Sequence, residues 1–288
     1  MINFQKTLPR QNSHLQPKLG LFSIVVLVAL VAITILLFDT LIARSAFAQT
    51  ETLRDFDQQH LIWGAVLSEN VIRRGPETKI NYQNIKTHPE LLNAYLAGLS
   101  KVSQGQFDTF SKDQQLAFLI NAYNAFTVKL IVENYPVKSI KDLGSWVQSP
   151  WKKRFISLLD KNLSLDEIEH GMIRKLFDEP RIHFAVNCAS IGCPALRETP
   201  FTADNLSSQL EDSAVDFLND KSRNYFDSSN NTFHLSAIFK WYGDDFSRHG
   251  TIQSFVADRI QSTRTKPNLF LSATVEFLDY DWRLNHLQ

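Results

Sequence analysis

The chain has 288 residues, 44% of them hydrophobic and 21% charged, and its 30 basic and 30 acidic side chains give a formal net charge of zero. This is the balance of a globular protein with one sizeable core, and there is no basic excess to hold a polyphosphate backbone, so no nucleic-acid partner is expected. The only two cysteines, Cys188 and Cys193, exclude a disulfide framework and leave a local bridge, a reactive pair or passive thiols.

Residues 1–20 carry Lys6, Arg10 and Lys18 and no acid, and an uncharged run (LFSIVVLVALVAITILLF) follows over 21–38. As a helix that run would rise about 27 Å, close to the hydrocarbon thickness of a bilayer. Ala46-Phe47-Ala48 then offers an A-x-A cleavage pattern before Gln49. Residues 1–48 therefore read as a signal peptide or an N-terminal membrane anchor. The positive charges before the run place the remainder on the periplasmic or extracellular side, either secreted after cleavage near Ala48 or held by a single N-terminal span. In the anchored case residues 21–38 supply the membrane contact.

After a short stalk at 49–54, Asp55–Ile72 has helical spacing (Phe56, Ile62, Val66 and Ile72 near one face), and Arg73-Arg74-Gly75-Pro76 ends it. Residues 49–84 are thus expected as a helical segment packed on a main domain over 85–288. Pro89–Val102 reads as a helix through Leu91, Leu92, Tyr95, Leu96 and Leu99. Ser111–Asn134 opens on a capping box, Ser111 with Gln114, and repeats apolar residues at 116, 119, 120, 123, 126, 127, 130 and 131 before Pro136 stops it. Arg154–Leu159 and Asn162–Leu165 flank Asp160-Lys161 as a hairpin. Ser164 and Glu167 form a second capping box for a helix over Asp166–Phe177, closed by Pro180.

Arg181–Asn187 then alternates, with Ile182, Phe184 and Val186 on one face and His183, Ala185 and Asn187 on the other, which is strand periodicity. Thr202 caps a helix to about Asn219. Thr232–Ala237, after an Asn230-Asn231 turn, and Val275–Asp281 read as strands. Helices come early, strands late, and no regular βαβ alternation appears. The prediction is an α+β fold, a helix-rich single domain with a small, mostly antiparallel sheet.

The residues that carry chemistry concentrate in Ile182–Leu196 (IHFAVNCASIGCPAL). A cysteine just past a strand end, facing converging backbone N–H groups, is where a thiolate is stabilised. As a nucleophile Cys188 needs a base, for which His170 and His183 are the candidates; the catalytic set is read as Cys188, His170 as base, and Glu169 or Asn187 as orienter. Other readings stay open. A bridge between Cys188 and Cys193 needs a loop that brings the Cα atoms within about 7 Å. A metal site from His170, His183, Cys188 and Cys193 matches no standard finger spacing, and a dithiol redox site departs from the usual C-x-x-C. No metal and no cofactor is expected.

Asn121 and Asn124 share a helix face beside the apolar stripe and either fix a loop or line a polar pocket. Phe239–Phe246 joins Trp241 and Tyr242 to Asp245 as cleft wall or core packing. The expected substrate contacts are Asn121, Tyr123, Asn124, His183, Arg197, Trp241, Tyr242 and Asp245. Asp279-Tyr280-Asp281-Trp282 reads as a closing strand.

Asn121–Asn124, Leu165–His170, His183–Ser190 with Cys193–Arg197, Phe239–Tyr242 with Asp245-Phe246, and Tyr280–Trp282 together resemble the motifs of the domain-of-unknown-function 547 family, DUF547, in order across about residues 85–285. The resemblance implies one domain that groups these motifs, and it implies no activity. Two functions follow from the residues. One is a thiol-dependent hydrolase or acyl/amide transferase acting outside the cytoplasmic membrane on a small-molecule, peptide or envelope ligand. The other is a non-enzymatic envelope binding or interaction module with a structural Cys188–Cys193 pair.

Overall fold

The computed structural model describes residues 56–263 and 266–287, together with Ile33, Thr34 and Phe38, which are helical. The rest of the expected span, the Ala46-Phe47-Ala48 site and the 49–54 stalk lie outside the described residues. The chain divides into two compact units, 1–55 and 56–288, and the second contains both cysteines and every candidate site residue.

Helix α1, Leu61–Asn70, is shorter than the periodicity predicts. Asp57 accepts the N–H groups of Gln59 (2.9 Å) and Leu61 (2.7 Å), so the chain turns before the helix begins. Past Asn70 the chain is extended: β1, Val71–Arg74, pairs antiparallel with β2, Glu77–Ile80. Arg73-Arg74-Gly75-Pro76 is therefore a hairpin turn and not a helix stop; Gly75 takes φ 63°, which a glycine adopts without a Cβ penalty. Helices α2 (Tyr82–Thr87), α3 (Glu90–Lys101) and α4 (Gln104–Asp108) follow. Trp63 of α1 stacks on Tyr95 of α3 at 5.6 Å, which seats the N-terminal segment on the core.

Helix α5, Lys112–Asn134, is the axis of the unit. Its capping box forms as predicted, with Ser111 Oγ accepting Gln114 N–H at 3.2 Å and Gln114 Oε1 accepting Ser111 N–H at 2.9 Å. It is long and apolar enough to cross a bilayer by composition, but its apolar window is 94% buried inside the fold. Helices α2 and α3 and the turn after β4 cover it on successive faces. Burial on every side removes the need for the polar stripe that a surface helix carries.

Strands β3 (Ile156–Leu158) and β4 (Lys161–Leu163) form the second hairpin. Its two central residues are Leu159 and Asp160, at φ 52° and 60°, so the turn sits one residue earlier than Asp160-Lys161. The Ser164–Glu167 capping box forms and opens α6, Leu165–Ile168. The helix then widens into a π turn over Glu169–Ile173 and resumes as α7, Arg174–Leu176. Such widenings recur at functional sites because they re-aim side chains that a regular helix would spread.

The predicted strand at Arg181–Asn187 is not one. Pro180–Phe184 forms a 3-10 turn, with Pro180 in the first turn, where its missing N–H costs nothing, and the Glu179 carboxylate accepting Arg181 N–H at 3.1 Å. The alternation has another cause: Ile182 packs into the core around α5, whereas Phe184 packs into a second, aromatic core with Phe217, Phe233, Phe239 and Phe246. That second core lies between α8 (Leu206–Leu218), α9 (Ile238–Trp241), α10 (Gly243–Phe246), α11 (Ile252–Ala257) and a three-stranded sheet. A 3-10 turn, Ala203–Asn205, separates Thr202 from α8. In the sheet, β5 (Tyr225–Asp227) pairs antiparallel with β6 (Thr232–Ser236), and β6 pairs parallel with β7 (Thr274–Leu278). The fold is helix-rich α+β, its small sheets mostly antiparallel. Residues 280–282 lie beyond β7, in an irregular tail whose backbone bonds the 189–192 loop on one side and Ile80 on the other.

His60 gives the unit a pH dependence. It is buried against Tyr95, whose hydroxyl lies 2.7 Å from Nδ1, and burial lowers its pKa from 6.5 to about 4. The unfolded chain takes up this proton as pH falls through 6.5, while the folded chain resists until about 4, so the stabilisation is present above 6.5 and is lost on the way down. Chemical unfolding between pH 7.5 and 4 is expected to show a fall of about 3 kcal/mol from this group, and His60→Gln is expected to flatten the slope.

Candidate active site

A cleft of about 270 Å³ opens between α5, the π turn, α9 and the cysteine loop. Tyr123, on α5, stands in its wall beside Glu169 of the π turn. Glu169 is 6% exposed, and its carboxylate accepts a hydrogen bond from the Tyr242 hydroxyl at 2.7 Å, with the Tyr123 phenol close by. Burial, reinforced by the charge of Glu169, pushes both phenols well above their ordinary range, so they remain donors. Among the described residues Glu169 has no ion-pair partner within 4.0 Å.

The Tyr242 ring stacks on His183 at 3.8 Å and 20°. His183 donates through Nε2 to Asp245 Oδ2 at 2.8 Å, and its buried Nδ1 has no hydrogen-bond partner among the described residues. Burial lowers the pKa of His183 and keeps it neutral. Burial alone would raise the Asp245 carboxyl, but hydrogen bonds from His183 and Arg174 outweigh it and hold Asp245 far below the usual carboxylate range. Arg174 Nε lies 2.6 Å from Asp245 Oδ2, and Arg248 lies 2.7 Å from Oδ1. The same Arg174 donates to His170 Nδ1 at 3.1 Å, while His170 Nε2 lies 3.7 Å from Asp166. The histidine oriented by a buried carboxylate is therefore His183, and His170 sits at the rim.

Cys188 and Cys193 are joined in a disulfide with Cα atoms 6.2 Å apart, and both residues line the cleft. Of the readings left open for this pair, the structure has the local bridge, and while it is closed no thiolate stands at Cys188. The Tyr280 hydroxyl lies 3.2 Å from each sulfur. Tyr280 and Trp282 from the tail join Trp241 and Trp151 in an aromatic wall: Trp241 stacks on Trp282 at 5.6 Å and 28°, and Trp151 meets Trp282 edge-on at 5.6 Å. Among the described residues no group of three or more His, Cys, Asp or Glu side chains is placed to hold a metal ion.

The cleft thus gathers Cys188, His170, Glu169, His183, Tyr123, Trp241 and Tyr242 from the sequence-based candidates. Five others stand behind it. Asn121 donates to Phe201 O (2.7 Å) and accepts Phe201 N–H (3.0 Å); Asn124 donates to Ala185 O (2.9 Å) and accepts Asn187 N–H (2.8 Å). Both amides fix loops. Asn187 donates to Pro194 O and accepts Ala189 N–H, a brace across the cysteine loop and not an orienter. Arg197 reaches Gln209 O and Ser213 on α8, and Asp245 lies behind His183. Trp151, Tyr280 and Trp282 are cleft residues outside the expected contacts; the sequence presents Tyr280 and Trp282 as part of a closing strand and a family motif. Tyr280-Asp281-Trp282 repeats the aromatic–acid signature of the Trp241 block, a usable signal; nothing local marks Trp151.

Residues 107–218 match the model of a family described as "Protein of unknown function, DUF547". The resemblance carried by the motifs is thus shown over that stretch, and the chain carries a DUF547 domain. The match includes His170, His183 and both cysteines and ends before Trp241 and the tail. No curated protein and no solved structure matches the chain.

Two substitutions test the framework behind the cleft. Asp245→Asn leaves Arg174 and Arg248 without their carboxylate and is expected to cost about 3 kcal/mol of unfolding free energy. Asn124→Ala strands a buried carbonyl and a buried N–H and is expected to cost about 2 kcal/mol. Denaturant midpoints at pH 7 measure both.

Proposed function

We propose that the domain is a binding module for a small organic cation, a free amine or an amine-bearing peptide or envelope component, and that it works outside the cytoplasmic membrane behind the leader at 1–48. The carrying observation is Glu169: a buried carboxylate at the cleft with the Tyr242 hydroxyl as its hydrogen-bond partner and no ion pair within 4.0 Å among the described residues, Arg174 acting on it only from farther off. A carboxylate in low dielectric gains most from an opposite charge brought beside it. Among the described residues no Lys or Arg lines the cleft to repel or pre-empt one. The walls supply aromatic faces, and the fold already uses two of these rings for cations, with Lys141 Nζ 4.7 Å from the Trp282 ring centre and Arg174 5.0 Å from that of Tyr242. The volume suits a fragment of the size of an arylalkylamine.

The thiol-dependent hydrolase or transferase reading asks for a thiolate at Cys188, which the closed bridge to Cys193 does not offer, so the binding reading is preferred. In this reading the disulfide is part of the cleft wall.

Titration with phenethylamine, 2-phenylethanol and phenylacetate, followed by tryptophan fluorescence and calorimetry, tests the proposal. The amine is expected to bind at least about tenfold more tightly than the alcohol, the ratio that one modest charge contact gives. Glu169→Gln, which keeps the shape, is expected to erase the ratio. Equal affinities for amine and carboxylate on the wild-type chain would sink it.

A further inference from the structure

We propose that the Cys188–Cys193 disulfide is a thiol-exchange centre at which a small thiol in the cleft attacks Cys188 Sγ and Cys193 departs as the leaving group. Geometry gives the bond a direction. Both cysteines line the cleft, but Cys188 is partly exposed whereas Cys193 is 3% exposed, so an incoming thiolate reaches Cys188 first. Cys193 is equipped to leave. Its sulfur accepts the Cys188 backbone N–H at 3.0 Å, and the Tyr280 hydroxyl, 3.2 Å from each sulfur, can donate to it when the bond opens. Donors aimed at a sulfur stabilise its thiolate, and a stabilised leaving thiolate speeds exchange. Burial raises the Tyr280 phenol well above its ordinary range, so it remains a donor when the thiolate forms.

The loop does not need the bond for its shape. Ile191 N–H and Gly192 N–H each bond the tail at 2.8 Å, Cys193 N–H bonds Ser190 O at 3.1 Å, and Arg223 holds the Cys193 carbonyl. The cysteines are only five residues apart, and the stabilisation from closing a loop is smallest for short ones. Gly192 has a specific part: a Cβ there would lie 3.0 Å from the Tyr280 ring and from Asp281 N, so the glycine is what lets Tyr280 come close enough to seat its hydroxyl against both sulfurs. Ala189, next to Cys188, is held at φ 62° by the Asn187 side chain, the kind of backbone strain that functional loops store.

The step balances without a further reactant. A thiol RSH ionises, RS⁻ forms a bond to Cys188 Sγ, the Cys188–Cys193 bond breaks, and the proton of RSH ends on Cys193. A second thiol attacking the mixed disulfide releases RSSR and leaves both cysteines reduced, so two thiols are oxidised for one protein disulfide reduced. The substrate class depends on the cation reading of the cleft: with Glu169 and Asp166 in the wall and no Lys or Arg among its described lining residues, the favoured thiol is an aminothiol.

The test uses the oxidised full-length chain with 2-mercaptoethylamine, 2-mercaptoethanol and mercaptoacetate at pH 8. Rates are normalised to thiolate concentration, and the mixed disulfide is mapped by mass spectrometry after an acid quench. The expected adduct is on Cys188, with the aminothiol about tenfold faster than mercaptoacetate. Tyr280→Phe is expected to slow all three about tenfold without moving the melting temperature. An adduct on Cys193, or reduction no faster in the folded chain than in an unfolded one, overturns the exchange centre, and amine binding that persists in that case leaves the cleft reading intact. An adduct on Cys188 with equal rates for the three thiols overturns the aminothiol assignment, and then a missing preference for phenethylamine over phenylacetate places the failure in the cation reading itself.

Discussion

Two side-chain amides on one buried helix hold the cleft open. The segments that carry the cysteines and His183 form no strand or α-helix, so their backbone groups cannot all satisfy one another, and an unpaired buried N–H or C=O is costly. Asn124 answers for Ala185 O and Asn187 N–H, and Asn121 does the same for both backbone groups of Phe201. An amide serves because it offers a donor and an acceptor from one planar group, as a neighbouring strand would. With those segments pinned to α5, Tyr123, one residue before Asn124, is placed beside the π turn, and Glu169 meets two phenols.

The site holds two buried carboxylates with opposite circumstances. Asp245 is surrounded by His183, Arg174 and Arg248, so its charge is compensated inside the fold and its work is to orient. Glu169 accepts the Tyr242 hydroxyl, makes no ion pair within 4.0 Å among the described residues, and lines the cleft. An ion pair inside the protein makes a charge structural; in the proposed reading, a carboxylate without one is what a ligand's cation meets. The same contrast separates the histidines. His183 is fixed by Asp245 at its edge and Tyr242 on its face, while His170 has one nitrogen toward Arg174 and the other toward Asp166 at the rim.

Local features are legible in the residues, and long-range ones are not. Ser111 with Gln114 and Ser164 with Glu167 announce helix starts because the capping bonds span three residues. Glu169, His170, His183, Cys188, Tyr123, Trp241 and Tyr242 stand out by residue type and motif, and they share one cleft. Which histidine is oriented by an acid could not be read, because Asp245 lies 62 residues beyond His183. The strand expected at Arg181–Asn187 misled for a physical reason: a period of two arises when one face packs on a single layer, but also when Ile182 and Phe184 serve two cores on opposite sides of a tight turn. The two asparagines were legible as a pair, yet their choice between pocket and loop depended on the distant backbone of Ala185 and Phe201.

The C-terminal tail shows why the functional unit exceeds the matched segment. Residues 107–218 contain the cysteines, both site histidines and Glu169, but the match ends before any of Trp241, Tyr242, Tyr280 and Trp282. Tyr280 gives the sulfurs a hydroxyl, and the residues after it bond Ala189 on one side and Ile80 on the other, so the tail fastens the cysteine loop to the N-terminal hairpin. Gly192 N–H bonds Asp281 O at 2.8 Å at the point where the glycine admits the Tyr280 ring. A chain trimmed to the matched residues would keep the disulfide and lose the donor, the aromatic wall and Asp245 together. The surroundings of the two cysteines are therefore completed by residues 280–285, well beyond the matched segment.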